Sequence, residues 1–563
     1  MIRGLGPTLA LALGAWSVPA HAAIHPPRLG LGNGDASTSV LVGWNTDEDR
    51  PSVVRVRAGD GAWVLTEGTS ERWEPVGQWV HTVELTGLRP ATEHTYQAGD
   101  GNEWSVEHAL MTGPTEACAP FRFIALGDDR SQDDFGPDRN WAPILEESLG
   151  DDPAFVLNGG DLVKEGSQHE QWLHWLEMTD DGFSSVAHLP TIGNHDDDRV
   201  DGDAAHYNVI FPLPRNDDSN TEDYFASTYG DLLVLSLSTA TFKGNAFQEQ
   251  AAWMDRVLTE NPRPWKIVFF HHPIYTSTMF GLLHPPNEEG QNAALVPIFD
   301  RHHVDLVIQS HNHWYERFHP SFGGAGGEEA QPVDGEANGT VYVTTGGAGA
   351  VTADLGGLIS DQTFEEECGR TQGCATLKGD HHYILFELAG NTLTATVKAT
   401  AAQTFGESDD NRAIIDEFRL EKAGEERIDC DAGPPEEGEG EPPPEGEGEG
   451  EGPGEGEGEG PVEGEGEPPG EGEGEGGHQP PGEGEGEGPA PPLAEGEGEQ
   501  GEGGDSDREP GLPSGEGGPE EDPVLDTSTR VQGSGGCGCT VAAESRSGPL
   551  VALVALLPFA RRH

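Results

Sequence analysis

The chain has 563 residues, too many for one domain, and its core-forming residues stop near Leu420, so two folded domains with appended segments are expected. Its formal net charge is −70, of which about thirty charges fall within 431–530, and the remainder is still strongly acidic. Such a surface repels polyanions, which argues against nucleic-acid binding, and it would tolerate high salt.

At the start, Arg3, the apolar run Leu9 to Leu13 and Ala20-His21-Ala22 before Ala23 read as a cleavable secretory signal over 1–22. Export is therefore expected, and an exported chain can oxidise its cysteines. Cys368 with Cys374 would close a small loop, and Cys118 with Cys430 would join the two ends of one domain. From 24 to 115, short alternating segments such as Ser39 to Trp44, Ser52 to Arg57 and His81 to Leu85 lie between Gly, Pro and Asp turns, the pattern of an all-β sandwich. Leu88-Arg89-Pro90-Ala91-Thr92 followed by Thr95-Tyr96 resembles the tyrosine corner of fibronectin type III domains. Such a module is more often a spacer or lid than a catalyst.

Gly113-Pro114-Thr115 and Cys118 mark a boundary, and a second domain is expected over 118–424. Phe121 to Leu126, Phe155 to Asn158, Leu232 to Leu237, Trp265 to Phe270, Val304 to Ile308 and Val341 to Thr345 read as strands, and Gln248 to Thr259 and Asn292 to His302 as helices. The alternation predicts an α/β layered domain whose ligands gather beyond the carboxyl ends of the strands. From 431 to 535, Gly-Glu repeats broken by Pro clusters have too little apolar surface to fold and predict a disordered, solvated stalk. The last stretch, 536–563, holds Gly536-Cys537-Gly538-Cys539, an apolar run Pro549 to Ala560 and a final Arg561-Arg562. These three parts in this order resemble the C-terminal sorting tails of Gram-negative bacteria, most closely the myxobacterial kind, which implies a protein held at the cell surface or outer membrane by sorting machinery. A weak hydrophobic tail anchor is the plainer reading of about a dozen apolar residues.

Chemistry concentrates in five short motifs: Gly127-Asp128-Asp129-Arg130, Gly160-Asp161-Leu162-Val163, Gly193-Asn194-His195-Asp196, His271-His272-Pro273 and Ser310-His311-Asn312-His313. Singly, each reads as a turn, a cap or a surface pair. In order, each after a predicted strand, they supply what a two-metal hydrolase needs: one carboxylate to bridge, with oxygen and imidazole ligands on both sides.

This set resembles the calcineurin-like metallophosphoesterase superfamily, and within it the purple-acid-phosphatase-like branch, which often carries an N-terminal fibronectin-type domain. Trp314-Tyr315-Glu316-Arg317 and Thr345-Gly346-Gly347-Ala348-Gly349 add to the match, which covers about 24 to 420. The resemblance implies a four-layer α/β sandwich and two metal ions, iron, manganese, zinc or cobalt. Asp128, Asp161 and His313 would bind the first metal, and Asp161, Asn194, His271 and His311 the second. His195 would stand over the substrate as phosphate ligand or general acid, while water activated by the two cations attacks phosphorus in line. The sequence departs from the branch in three places. Arg130 stands where an Asp-x-His ligand would be, Lys164 where the coloured enzymes have a tyrosine, and Ser310 where Gly is usual. No purple colour is expected, and Arg130 either binds a phosphate oxygen or forms a salt bridge to a neighbouring acid.

Other conspicuous residues have plainer readings. His284 follows the His271 motif at longer than family spacing and reads as a loop histidine rather than a second acid. His302-His303 suits a helix end, His381-His382 packing before a strand, and Trp172 with Trp175 one apolar helix face. The acid cluster Asp196 to Asp203 is broken by Arg199 and lacks the order of a calcium loop, and Asp196 reads as an orienting group. The expected function is an exported, surface-held dinuclear phosphoesterase acting on small phosphomonoesters. A phosphodiesterase or nucleotide hydrolase of the same fold, and a non-catalytic binding protein with a degenerate metal site, are the alternatives.

Overall fold

The structure is a computed structural model that describes residues 24–130, 140–196, 204–216, 221–240, 246–277, 284–323, 331–332, 339–353, 359–400 and 413–430. The signal-like stretch 1–22, the acidic repeats of 431–535, the segment 536–563 and residues 197–203 of the acid cluster lie outside the described residues.

Two large sheets organise the described chain. The first has ten strands in the order Ile414–Glu421, Thr392–Ala399, His382–Ala389, Phe121–Leu126, Phe155–Asn158, Ala187–Pro190, Arg28–Leu31, Val40–Thr46, Gln78–Leu85, Thr69–Trp73. The second runs Gly34–Asp35, Phe225–Tyr229, Leu232–Ser236, Trp265–Phe269, Leu306–Gln309, Val341–Thr345, Tyr315–Phe318, Cys374–Lys378. The centre of each is parallel, as the alternation of strands and helices in the sequence requires.

These central strands are apolar throughout because both of their faces are covered. In the second sheet Leu232, Val234, Ile267, Phe269, Leu306 and Ile308 join the core that also takes Phe123 and Leu126 of the first. Their neighbours Leu233, Leu235, Val268 and Val307 turn the other way, onto Trp253, Met254, Leu295 and Phe299 of helices Ala246–Glu260 and Asn292–His302. Helices Trp141–Leu149 and His169–Phe183 send Trp141, Ile144, Trp172 and Trp175 into the first core. Side chains alternating across each strand thus build four layers, helix, sheet, sheet and helix, as expected.

The N-terminal domain is all-β, with Val64–Glu67, Val53–Ala58, Glu93–Gly99 and His108–Met111 forming its own four-stranded sheet. Its other strands continue the two large sheets: Leu29 pairs in parallel with Ala187 of the first, and Gly34 with Ser227 of the second. The domain therefore covers an edge of each sheet that would otherwise present unpaired backbone. Turn signals locate strands but do not say which edge they cap, so this fusion is not readable from the sequence. The tyrosine-corner expectation changes for the same reason. The buried Tyr96 hydroxyl donates across the domain boundary to the carbonyl of Ser184 at 2.7 Å, not to its own turn. Cys118 is joined to Cys430 and Cys368 to Cys374, the two expected pairings.

Candidate metal centre

Five loops leave adjacent strand ends and bring the five motifs together. Phe121–Leu126 delivers Asp128, Phe155–Asn158 delivers Asp161, Ala187–Pro190 leads to Asn194 and His195, Trp265–Phe269 to His271, and Leu306–Gln309 to His311 and His313. Close packing explains the glycines. A Cβ at Gly159 would meet Ser310 Oγ at 1.9 Å and one at Gly127 would meet it at 2.2 Å, so these two positions make the room that Ser310 fills. Asp128, Arg130, Asp161 and His311 hold positive φ values of 59°, 39°, 58° and 71°, a conformation that costs free energy and gathers at functional sites. The buried Asp196 carboxylate fixes the loop of Asp161, accepting the N–H groups of Asp161 at 2.7 Å, Leu162 at 2.8 Å, Val163 at 3.3 Å and Gly193 at 2.9 Å. This is the orienting role expected of it.

On one side of Asp161, His271 Nε2 lies 3.0 Å from Asn194 Oδ1, 3.0 Å from His311 Nδ1 and 3.3 Å from Asp161 Oδ1. On the other side, His313 Nε2 faces Asp128 Oδ1 at 3.4 Å, and both atoms are buried without a hydrogen-bond partner. Asp161, His271 and His311 form one set whose ligand atoms lie within 4.8 Å of one another, and Asp128, Asp161 and His313 form another. Asp161 belongs to both. Mixed oxygen and imidazole donors, with two of them orphaned in a buried pocket, fit a pair of metal ions. The rings are also held with the right nitrogen inward: His271 Nδ1 meets the Gly159 carbonyl at 2.8 Å and His313 Nδ1 that of Val351 at 2.9 Å.

Burial pushes the Asp128 carboxyl well up, with Asp161 adding to the shift. For Asp161 burial acts the same way, but His271, His195 and Arg130 together outweigh it and hold this carboxyl well below the usual range. Burial lowers the imidazole pKa of His271, His311 and His313, which favours the neutral form that ligates metal. Asp129, the neighbour of Asp128, is pushed up to about 8 by burial, although Trp175 Nε1 donates to it at 2.8 Å.

His195 stands at the rim, its side chain 30% exposed, with Nδ1 2.6 Å from the Lys164 carbonyl. That contact leaves Nε2 to face the pocket, 4.0 Å from Asp161 Oδ2. Arg130 lies over the same carboxylate, Nη2 at 2.9 Å and Nε at 3.2 Å from Oδ2, so the salt-bridge alternative is realised in this structure. His284 departs from its expectation: its ring centroid is 3.8 Å from that of His311, which puts it at the site rather than in an unrelated loop. The plainer readings of His302, His381 and His382 agree with their contacts, to Asp255, the Gly347 carbonyl and the Asp380 carbonyl.

Three contributors escaped the sequence reading. Glu288 touches both His284 and His311. Asn312 Nδ2 donates to Thr276 Oγ1 at 2.9 Å, and the fully buried Glu316 carboxylate takes Thr276 Oγ1 at 2.8 Å and the Ser277 N–H at 3.0 Å. Both tie the end of the His271 loop to the His311 motif. Position inside Trp314-Tyr315-Glu316-Arg317 was the available signal for Glu316, whereas nothing in the sequence marks Glu288.

Residues 122–315 match the calcineurin-like phosphoesterase model, and residues 26–112 the purple acid phosphatase N-terminal domain. The chain thus carries a metallophosphoesterase domain, and fold and donor set together make it a metal-dependent phosphoesterase. More narrowly, the pairing with that N-terminal domain is the arrangement of purple acid phosphatases. An uncharacterised protein of Mycobacterium tuberculosis is 24% identical over 367 residues, 56% of this chain and 68% of that one. Purple acid phosphatase 21 of Arabidopsis thaliana is 25% identical over 281 residues, covering 48% of this chain and 58% of its own length. A purple acid phosphatase from yellow lupin (Lupinus luteus) seeds superposes with a TM-score of 0.58 at 18% identity, over 73% of this chain and 77% of that one.

Proposed function

We propose that the protein hydrolyses small phosphate monoesters at a dinuclear centre held by Asp128, Asp161 and His313 on one side and Asp161, Asn194, His271 and His311 on the other. The observation that carries this reading is Asp161 itself, shared between two convergent donor sets, one of them containing the orphaned Asp128 Oδ1 and His313 Nε2. Bound cations would lower the pKa of a water and neutralise charge developing on the phosphoryl oxygens. The chain's own groups do the rest. His195, with Nδ1 on the Lys164 carbonyl, presents Nε2 to the pocket and can donate a proton to a leaving alkoxide. Arg130 has guanidinium donors beyond those on Asp161 and can hold a phosphoryl oxygen. The likeness to an Arabidopsis purple acid phosphatase supports the phosphatase class.

We also propose export and retention at the cell surface or outer membrane, supported by the signal-like start and the tripartite terminal segment of the sequence. Fractionation with surface proteolysis tests this part: a protein confined to the cytoplasm overturns it. For the catalytic reading, the test is metal content and turnover of the full chain beside Asp161→Ala. Two metals per chain, and turnover abolished by the substitution, are expected. Wild-type protein with no turnover of mono- or diesters after adding each of iron, manganese, zinc and cobalt would overturn it.

A further inference from the structure

Three imidazoles around the pocket are oriented by main-chain carbonyls: His271 by Gly159, His313 by Val351 and His195 by Lys164. His311 is arranged otherwise. Its Nδ1 faces His271 Nε2 at 3.0 Å, and its Nε2 faces a side chain, Glu288 Oε2, at 3.3 Å. Resting on the metal-site reading above, we infer that Glu288 is a positioning residue that sets the tautomer of His311. Nδ1 can offer its lone pair to a cation only when the ring proton sits on Nε2. A carboxylate facing Nε2 selects that tautomer and makes Nδ1 the more basic ligand.

The turn that carries Glu288 is built to hold it there. Asn287 adopts φ 56°, its N–H donates to the Pro273 carbonyl at 3.1 Å, and its Oδ1 accepts the Asn292 N–H at 2.8 Å. Gln291 Nε2 reaches the carbonyls of Pro273 at 3.0 Å and His272 at 3.2 Å. Glu288 is thereby pinned to the chain immediately after His271, so one segment supplies a proposed ligand and the group that orients another. The same Oε2 accepts His284 Nδ1 at 3.0 Å. One carboxylate thus fixes an inward imidazole, His311, and an outward one, His284, whose side chain is 46% exposed at the rim.

The test is competition of Zn2+ against a chromophoric chelator in the full chain, for wild type, Glu288→Ala, Glu288→Gln and Asp161→Ala. Glu288→Ala is expected to weaken one of the two Zn2+ by roughly 10- to 100-fold and leave the other within about twofold, as loss of an outer hydrogen-bond acceptor does. Glu288→Gln keeps an acceptor oxygen and should recover most of that loss. Thermal melting of the metal-free variants establishes that each is folded. Unchanged Zn2+ affinities in Glu288→Ala, with Asp161→Ala losing Zn2+, would overturn this inference and leave the metal-site reading standing. Glu288→Gln as weak as Glu288→Ala would overturn the tautomer account. Wild-type protein that binds none of Zn2+, Mn2+, Co2+ and Fe2+ in the same competition would overturn both readings.

Discussion

Arg130 and Asp161 form the ion pair at the middle of the site, Nη2 to Oδ2 at 2.9 Å, with the carboxylate fully buried and the guanidinium 18% exposed. This arginine stands at the position where the branch places an Asp-x-His ligand, so it puts a fixed positive charge beside the carboxylate common to both donor sets. Arg130→Ala is expected to raise KM or lower kcat by about 10- to 100-fold, the size of losing a charge-assisted bond to phosphate. Metal content should stay the same, and Arg130→Lys should recover only part, because the planar fork is lost. Steady-state kinetics with metal analysis decides, and wild-type constants in Arg130→Ala would dismiss a substrate role.

Metal binding to the folded state alone should appear as stability. Free metal at about 100 times its Kd adds about 2.7 kcal/mol to a fold whose unfolded chain does not bind it. Melting of chelator-treated full chain is expected to shift upward when zinc or manganese is restored, and the shift should vanish in Asp161→Ala. An equal shift in that variant would place the binding elsewhere.

Tyr96 gives a test of the domain junction that is independent of catalysis. Replacing it by Phe leaves the Ser184 carbonyl without its donor in a buried place, at a cost of about 1–3 kcal/mol. Urea unfolding should register that loss while turnover is unchanged. A variant as stable as wild type would mean that the junction holds without this bond.

His188 supplies a pH test. Burial among aromatic side chains lowers its pKa to about 3, below the ordinary imidazole value of about 6.5. Between those values the unfolded chain takes up a proton that the folded chain refuses, so this residue's contribution to stability is present above pH 6.5 and falls as pH drops toward 3. Asp180, raised to about 6 mainly by burial, works in the opposite sense across part of the same range, so the comparison is between proteins rather than between pH values. His188→Phe should flatten the acid limb by up to about 1.4 kcal/mol per pH unit in denaturant titrations. Parallel curves for the two proteins would exclude His188 as the source.

Much of the site was legible because its residues follow strands whose apolar runs are unambiguous. Phe121–Leu126 and Phe155–Asn158 have the expected bounds, and Asp128 and Asp161 lie at their ends. The layered core was legible for the same reason, since a run such as Leu232–Ser236 needs cover on both faces. What could not be read depends on contacts distant in sequence or on backbone shape. Glu288 and His311 are 23 residues apart, and only the turn at Asn287 brings them together. The left-handed backbone at Asp128, Asp161 and His311 has no sequence mark, because none of these residues is glycine. Gly34 and Ser227, paired 193 positions apart, show why the N-terminal strands could not be assigned to the catalytic sheets from periodicity alone.

The cystine between Cys118 and Cys430 has a mechanical consequence. Cys118 also takes the Asp231 carboxylate on its backbone N–H at 2.6 Å, so Cys430 is fastened to the start of the catalytic domain and to a turn beside its second sheet. A pull on the chain beyond Cys430 is delivered there, bypassing the outermost strand Ile414–Glu421, which would otherwise peel from its neighbour one hydrogen bond at a time. Tension on the chain beyond Cys430 would therefore be borne by a covalent link, and the strand ladder leading toward the metal-site loops would stay unstretched.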